Sequence, residues 1–411
     1  MLSLITTRRE PRPADFAAVR STNLAVVLRF IRQHAPCSRA DIAAATGLNK
    51  ATVSSLVAEL IERRLISEVG LTEHRIGRPA MMLTLDGHSY AAIGLAVEVD
   101  HLSAVALDIA GRQILAWHRS FDARQEGPDR TVARLAALAR RAVTRVKRNG
   151  GQVLGLGVAV PGLVAVPERV VRLAPRLGWR DLPLGTQLEA ALRSPEFPIM
   201  VDNDANLAAV AEHRCGSHAG TPHLLYLGGQ YGAGAGVLID GRVPRGAHGF
   251  GGQLAHLPVA PRGPACPCGQ RGCLDVVAAP TTLSPTGEAD TTVEDLEAVI
   301  DDVVARAEAG HDVTLKRLER LGGWLGRGAA TVVTLADPAV VILGGHYARL
   351  ARWLEPAAST QLRQGALTAG LAAPSFVAST LGMDAPARGA AAYILDAVDD
   401  GEIPLLSSSS A

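Results

Sequence analysis

The chain has 411 residues, 48% of them hydrophobic, enough for two or three domains with cores of their own. It has no run of about 18 apolar residues, and the opening segment MLSLITTRREPRPADF places its arginines after a short apolar patch, so neither a transmembrane helix nor a signal peptide is expected and the protein reads as cytoplasmic with no membrane partner. The net charge of +1 is unevenly spread: residues 1–86 carry 12 Arg and Lys against 8 Asp and Glu, and the remainder 29 against 32, so a basic head precedes a mildly acidic body and nucleic-acid binding by the head is permitted.

Residues 1–20 hold prolines and arginines without periodicity and read as a loose arm. Residues 21–88 read as a winged helix-turn-helix. In NLAVVLRFIRQH, Leu24, Val27, Leu28 and Ile31 share one helical face. Ser38 is placed as an N-cap with Asp41 three residues on, a variant capping box, and the short helix RADIAAAT stops at Gly47. Asn49 caps the next helix, KATVSSLVAELIERR, whose core face is Val53, Leu56, Val57 and Leu60. Two helices joined by so short a turn make a helix-turn-helix. The apolar runs LIS and MMLTL, on either side of the charged loop TEHRIGRP, add a two-stranded wing.

The exposed start of the third helix offers Asn49, Lys50, Thr52, Ser54 and Ser55, short polar side chains and one lysine of the kind that suits a major groove. Arg75 and Arg78, in the wing loop, are placed to reach phosphate or a minor groove. A protein-interaction module with a solvated loop would show a similar pattern; the position of the wing arginines favours double-stranded DNA.

Residues 89–400 read as an α/β body, with a flexible tail over 401–411. AAIGLAVEVDHLSAVAL is two strands turning near Asp100, ILAWH begins a third, and an Ala-, Leu- and Arg-rich helix covers roughly 129–148. VLGLGVAV is a strand ending at Pro161-Gly162, and PIMVDND is a strand ending in polar residues that runs into the helix NLAAVAEHR. HLLYLGG and GAGVLIDG pair as a hairpin, and VVTLADPAVVILGG is a helix end, a turn and a buried strand. Strands alternating with helices mean α/β, and strand ends carrying Gly, Asn and Asp mean a ligand cleft between lobes. Cys37 and Cys215 read as small buried hydrophobes.

The stretch GAHGFGGQLAHLPVAPRGPACPCGQRGCLD is the most informative. Cys266, Cys268 and Cys273 fall within eight residues, and His256 lies ten positions before the first. Three thiolates and an imidazole in that spacing suit a closed tetrahedral Zn²⁺ site, with His256, Cys266, Cys268 and Cys273 as the metal ligands. A loop of free thiols or one disulfide is the alternative; a chain without a secretory signal is poorly suited to a disulfide.

The winged helix ending in GRP, then GVAVPGLV, DNDAN, GAGAGVLIDG and the His-Cys stretch together resemble the ROK family of repressors, open reading frames and sugar kinases. The resemblance covers nearly the whole chain from about residue 20; CPCGQRGCLD is its most specific part. It implies a winged helix-turn-helix followed by an actin-like, two-lobed sugar kinase (ROK) fold, with a sugar between the lobes and assembly into homodimers or homotetramers. The DNA-binding head places the chain with sugar-responsive repressors such as those for xylose, N-acetylglucosamine or glucose uptake. Carried over by position, Asn203 and Asp204 match the sugar-binding Asn-Asp pair. Gly162 matches the glycine that lets the sugar approach, and His256 the residue that both ligates zinc and contacts sugar. Asp275 and Gln253 stand where the family has Glu, completing a sugar set of Gly162, Asn203, Asp204, Gln253, His256 and Asp275. Asp275 is one methylene shorter than Glu, a reach of about 1.5 Å less, so the sugar sits deeper or a water fills the gap.

The resemblance also separates regulator from enzyme. Where the kinases carry an Asp-x-Gly-x-Thr phosphate turn, this chain has Ala96, Glu98 and Asp100, and Tyr231 replaces the Thr of a second phosphate loop. Carboxylates placed where phosphate oxygens would lie repel them. No catalytic residue is assigned. The expected function is a DNA-binding transcriptional regulator released by a monosaccharide. The alternatives are a sugar kinase with an appended DNA-binding head, and a ligand-independent regulator using its body only for oligomerisation.

Overall fold

The computed structural model describes residues 16–71, 81–284 and 293–403. The chain divides into two compact units, one of residues 1–90 with 395–411, the other of residues 91–394. The last turn of the final helix belongs with the head, where Arg29 donates to the Asp399 carbonyl at 3.1 Å and pairs with Asp400 at 2.5 Å.

In the first unit, α1 (Phe16–His34) starts inside the expected loose arm. Past Pro13 nothing in FAAVRSTN breaks a helix, and Arg20 ties that early turn to Glu59 at 2.6 Å. Leu24, Val27, Leu28 and Ile31 are buried as the periodicity requires. A two-residue strand β1 (Cys37–Ser38) leads into α2 (Arg39–Thr46). The Ser38–Asp41 capping box is complete, and Gly47 ends the helix in the left-handed region at φ 72°. α3 (Lys50–Glu62) is capped by Asn49, whose side chain accepts from the Thr52 N–H at 2.8 Å. β2 (Ile66–Leu71) pairs antiparallel with β3 (Met81–Leu85), and β1 adds to the far edge of β3, so the expected two-stranded wing is one part of a three-stranded sheet. Arg75 and Arg78 lie outside the described residues.

The second unit has two lobes. In the first, β4 (Tyr90–Val97), β5 (His101–Asp108), β6 (Gln113–Ser120), β7 (Gln152–Val160) and, after a small sheet of β8 (Leu163–Ala165), β9 (Val170–Ala174) and β10 (Trp179–Leu182), β11 (Ile199–Asn203) form a five-stranded sheet in the order β11-β7-β4-β5-β6. α4 (Ala123–Arg148), broken at Gly127 ahead of Pro128, and α5 (Leu184–Ala191) accompany it. β4 is buried along its whole length, as a continuous apolar run covered on both faces should be.

α6 (Asp204–Cys215) follows β11 without a spacer and packs against the second lobe, on β12 (Leu224–Gly229) and β13 (Ala233–Leu238). α7 (Leu274–Val277), α8 (Val293–Glu308) and α9 (Asp312–Ala336) come next. Then follow β14 (Val340–Gly345), α10 (His346–Gly365), β15 (Ser375–Ala378) and α11 (Ala385–Asp399). The sheet order is β13-β12-β14-β15, with β12, β14 and β15 parallel. α9 ends where Asp337 adopts the left-handed conformation, at φ 44°, before Pro338. Each lobe has its own apolar core, and Val99 packs against both. Cys37 is buried as expected; Cys215 is only half-buried, its thiol on the Ala211 carbonyl at 3.2 Å.

Candidate ligand cleft and metal centre

The His-Cys stretch folds back on itself by local chemistry. A 3₁₀ turn carries Leu254–His256, and bridges pair Pro258 with Cys273 and Ala265 with Arg271. The Cys266 N–H donates to the Gln270 carbonyl at 2.8 Å, closing the tight turn that holds Cys268. The four candidate ligand atoms lie within 4.8 Å of one another. His256 Nδ1 is 3.7 Å from Cys266 Sγ, and Cys268 Sγ is 3.7 Å from Cys273 Sγ. All four could hold one metal ion. Burial pushes the Cys266 and Cys273 thiols up, outweighing the hydrogen bonds that favour their ionised forms; a cation would reverse that balance. Burial also pulls the His256 imidazole down, towards the neutral form a metal ligand needs.

The same loop forms one wall of a cleft between the lobes. Gly162, Asn203, Asp204, Gln253, His256 and Asp275 all line it, so the structure brings the six expected residues together. His256 turns Nδ1 to Cys266 and is itself among the residues that line the cleft. Gln253 precedes the 3₁₀ turn and lines the cleft with the rest.

Asn203 is both a cap and a positioning group. Its carbonyl oxygen accepts from the Asn206 N–H at 3.0 Å, and its amide donates to the Gly162 carbonyl at 3.0 Å and to Asp204 Oδ1 at 2.8 Å. Asp204 Oδ1 also accepts from the Ala205 N–H at 2.9 Å, which leaves Oδ2 for a ligand. Burial pushes the Asp204 carboxyl up to about 6, against the pull of these hydrogen bonds.

Two details add to the sequence reading. A Cβ on Gly162 would lie 2.2 Å from the Leu173 carbonyl, and its φ is +105°, so this glycine is required by the backbone turn and by packing against β9. Asp275 is held by an unforeseen residue. Arg176, on the turn after β9, donates through Nε at 3.1 Å and Nη2 at 2.9 Å to Asp275 Oδ1, and through Nη2 to the Asp275 carbonyl at 3.2 Å. The pair is roofed by Gly232, where a Cβ would fall 2.0 Å from Asp275 Oδ1.

The opposite wall carries Glu98, which is 4% exposed, on the turn between β4 and β5. That turn is held by the Glu98 N–H on the His101 carbonyl at 2.9 Å and the Phe121 N–H on the Asp100 carbonyl at 2.7 Å. Burial, reinforced by Asp204, pushes the Glu98 carboxyl up to about 8. Gln230 and Tyr231 separate this cleft from a second cavity, where Asp100 holds His101 Nδ1 at 2.8 Å and His346 is buried.

Residues 93–397 match the ROK family, about three quarters of the chain. The chain belongs to the ROK family. Its head, residues 25–75, matches the MarR family. This ROK chain is 30% identical over 330 residues to the xylose repressor of Bacillus spizizenii, covering 80% of this chain and 83% of that one. Among solved structures it is similar to a ROK family transcriptional regulator described as a homolog of the E. coli MLC protein. That match has TM-score 0.75 and 25% identity, and covers 94% of this chain and 98% of the other. It is also similar to a ROK hexokinase from Thermus thermophilus, with TM-score 0.59 and 31% identity, covering 74% and 97%. The hexokinase match spans less of the chain than the regulator match, whose extra coverage takes in the head. The protein is a DNA-binding transcriptional regulator of this family.

On the ROK chain's head, Asn49, Lys50, Ser54 and Ser55 are exposed and Thr52 is half-buried. The Asn49 oxygen is committed to the cap, and Ser55 Oγ receives Arg20 at 3.4 Å, so Ser55 lies on the α1 side of α3. Lys50 and Ser54 remain the least encumbered of the five. Among the described residues no helix is long and apolar enough to cross a membrane.

Proposed function

We propose that this protein represses carbohydrate uptake or catabolism genes and is released from its operator by a monosaccharide. The sugar would bind against Gly162, Asn203, Asp204, Gln253, His256 and Asp275. One observation carries this reading: a buried cleft lined by these polar groups, in a chain whose other unit is a winged helix. Sugar hydroxyls removed from water need partners around the whole ring. Asp204 and Asp275 supply acceptors, neutral His256 supplies a donor, and Gln253 supplies both.

The His256, Cys266, Cys268 and Cys273 set fits zinc. Zn–S bonds of about 2.3 Å in a tetrahedron put neighbouring sulfurs about 3.8 Å apart, close to the 3.7 Å between Cys268 and Cys273. Bound zinc would hold the loop rigid and fix the His256 ring. On the DNA side, Asn49, Lys50, Thr52, Ser54 and Ser55 would meet the major groove, and Arg75 and Arg78 phosphate or the minor groove. A homodimer or homotetramer would pass a ligand-dependent change between lobes to paired heads.

The test joins gel-shift titration on the operator with calorimetry. A sugar from a panel of xylose, glucose and N-acetylglucosamine should bind wild type, bind Asp204→Ala far more weakly, and release wild type from DNA. A sugar bound equally tightly by Asp204→Ala would mean the site lies elsewhere. The same panel should give no ATP consumption, since Ala96, Glu98 and Tyr231 replace the phosphate-binding set; turnover at about 1–100 per second would overturn the regulator reading.

A further inference from the structure

Glu98 is expensive for the fold. A buried carboxyl destabilises a protein unless it is paired and hydrogen-bonded. Gln230 hydrogen-bonds the Glu98 carboxyl, yet Oε1 is sealed from solvent with no partner among the described residues. His101, itself bonded to Asp100, pulls the Glu98 carboxyl down by less than burial pushes it up. The turn that carries Glu98 is fixed by backbone hydrogen bonds, which hold its Cα at the cleft wall. A leucine or glutamine would fill the same volume at lower cost.

A rotation about the side-chain bonds of Glu98 would bring its carboxyl to a ligand in the cleft it lines, and the ligand can supply what Oε1 lacks. Glu98 lines the same cleft as Asp204. Asp204 Oδ1 is already occupied by Asn203 and Ala205, so its free acceptor is Oδ2. A hydroxyl has one proton to give and two lone pairs to receive with. We propose that Glu98 is a ligand-contacting residue that, together with Asp204, brackets one ring hydroxyl of the bound monosaccharide and so selects which hydroxyl pattern the cleft accepts. Asp204 takes the hydroxyl's proton in a hydrogen bond, and Glu98 donates its own proton to the hydroxyl oxygen. Burial and the neighbouring Asp204 charge keep that proton on Glu98 near neutral pH. A sugar lacking the hydroxyl leaves both carboxyls facing each other without a mediator. This inference rests on the reading of the cleft as a monosaccharide site.

The experiment is calorimetry on the full chain with D-xylose, D-glucose and N-acetyl-D-glucosamine, then with monodeoxy analogues of whichever binds most tightly. Wild type is compared with Glu98→Gln, Glu98→Leu and Glu98→Ala. The leucine and alanine variants should bind the parent sugar about ten-fold or more weakly, and Glu98→Gln, which keeps shape and a donor, should stay within a few-fold. One monodeoxy analogue should bind wild type about ten-fold worse than its parent yet show little further loss on Glu98→Leu. Without sugar, Glu98→Leu should melt at or above wild type, since a buried unpaired acceptor has been removed, which separates lost binding from lost folding. Parent-sugar affinity unchanged in Glu98→Leu and Glu98→Ala would overturn the role of Glu98 and leave the sugar site standing. Equal loss in Glu98→Gln and Glu98→Leu would overturn the bracketing donor. No binding by wild type would remove both readings.

Discussion

Asn203→Asp isolates the orienting role of the Asn203 amide from its capping role. The substitution is isosteric, and aspartate is as good an N-cap as asparagine, with a favourable charge at the start of α6. What changes is the other end of the side chain. Two donor contacts, to the Gly162 carbonyl at 3.0 Å and to Asp204 Oδ1 at 2.8 Å, become oxygen–oxygen contacts. Losing these two hydrogen bonds costs about 2 kcal/mol, and the residual repulsion after the two carboxyls share a proton adds about 1 kcal/mol or more. About 3 kcal/mol corresponds to a melting point lower by roughly 5 °C for a body of this size.

The loss should depend on pH. Asp204 already titrates at about 6 in the folded wild type, and a second carboxylate beside it raises the pair further. The folded variant then keeps a shared proton where folded wild type has already lost its own, so its stability relative to wild type declines as pH rises from about 6 through the folded pKa of the pair. Thermal melts at pH 5 and pH 8 should show the larger deficit at pH 8, and calorimetry should show weaker sugar binding there. Melting points within about 1 °C of wild type at both pH values would refute the idea that the amide donors hold Asp204 in place.

Other outcomes follow from the same geometry. Cys268→Ser should bring the metal content of purified protein from one zinc per chain towards zero and loosen the 256–273 loop to proteolysis; retention of full zinc would remove Cys268 from the ligand set. Arg176→Met leaves the buried Asp275 carboxylate without its cation, so stability should fall by about 3 kcal/mol and sugar affinity with it, whereas Arg176→Lys should recover part of both; an unchanged melting point would mean that the ion pair is incidental. Lys50→Ala with Arg78→Ala should weaken operator binding and lower its salt dependence by about one counterion for each DNA phosphate the variant no longer neutralises; undiminished gel-shift affinity would take both residues out of the DNA interface.

Local chemistry was legible in the chain itself. The Ser38–Asp41 capping box, the Gly47 stop, the Asn49 cap and the wing strands depend on groups within a few residues of one another, and the structure forms them where spacing puts them. The His256, Cys266, Cys268 and Cys273 set is legible for the same reason, since a tight loop confines its ligands to a small volume whatever surrounds it. The polar ends of strands such as β11 marked the cleft wall, because a side chain at a buried strand end is polar only for a reason of packing or binding. The tertiary structure alone decided what faces those residues. Arg176 meets Asp275 across 99 positions of sequence, and Glu98, which the likeness to the kinases placed with phosphate binding, lines the same cleft as Asp204. Neither pairing has a periodicity or a motif. Each exists only because β11 hands the chain directly to α6 and so brings the turns of one lobe's sheets against the loops of the other, and no rule acting over one turn of helix or one hairpin can anticipate that meeting.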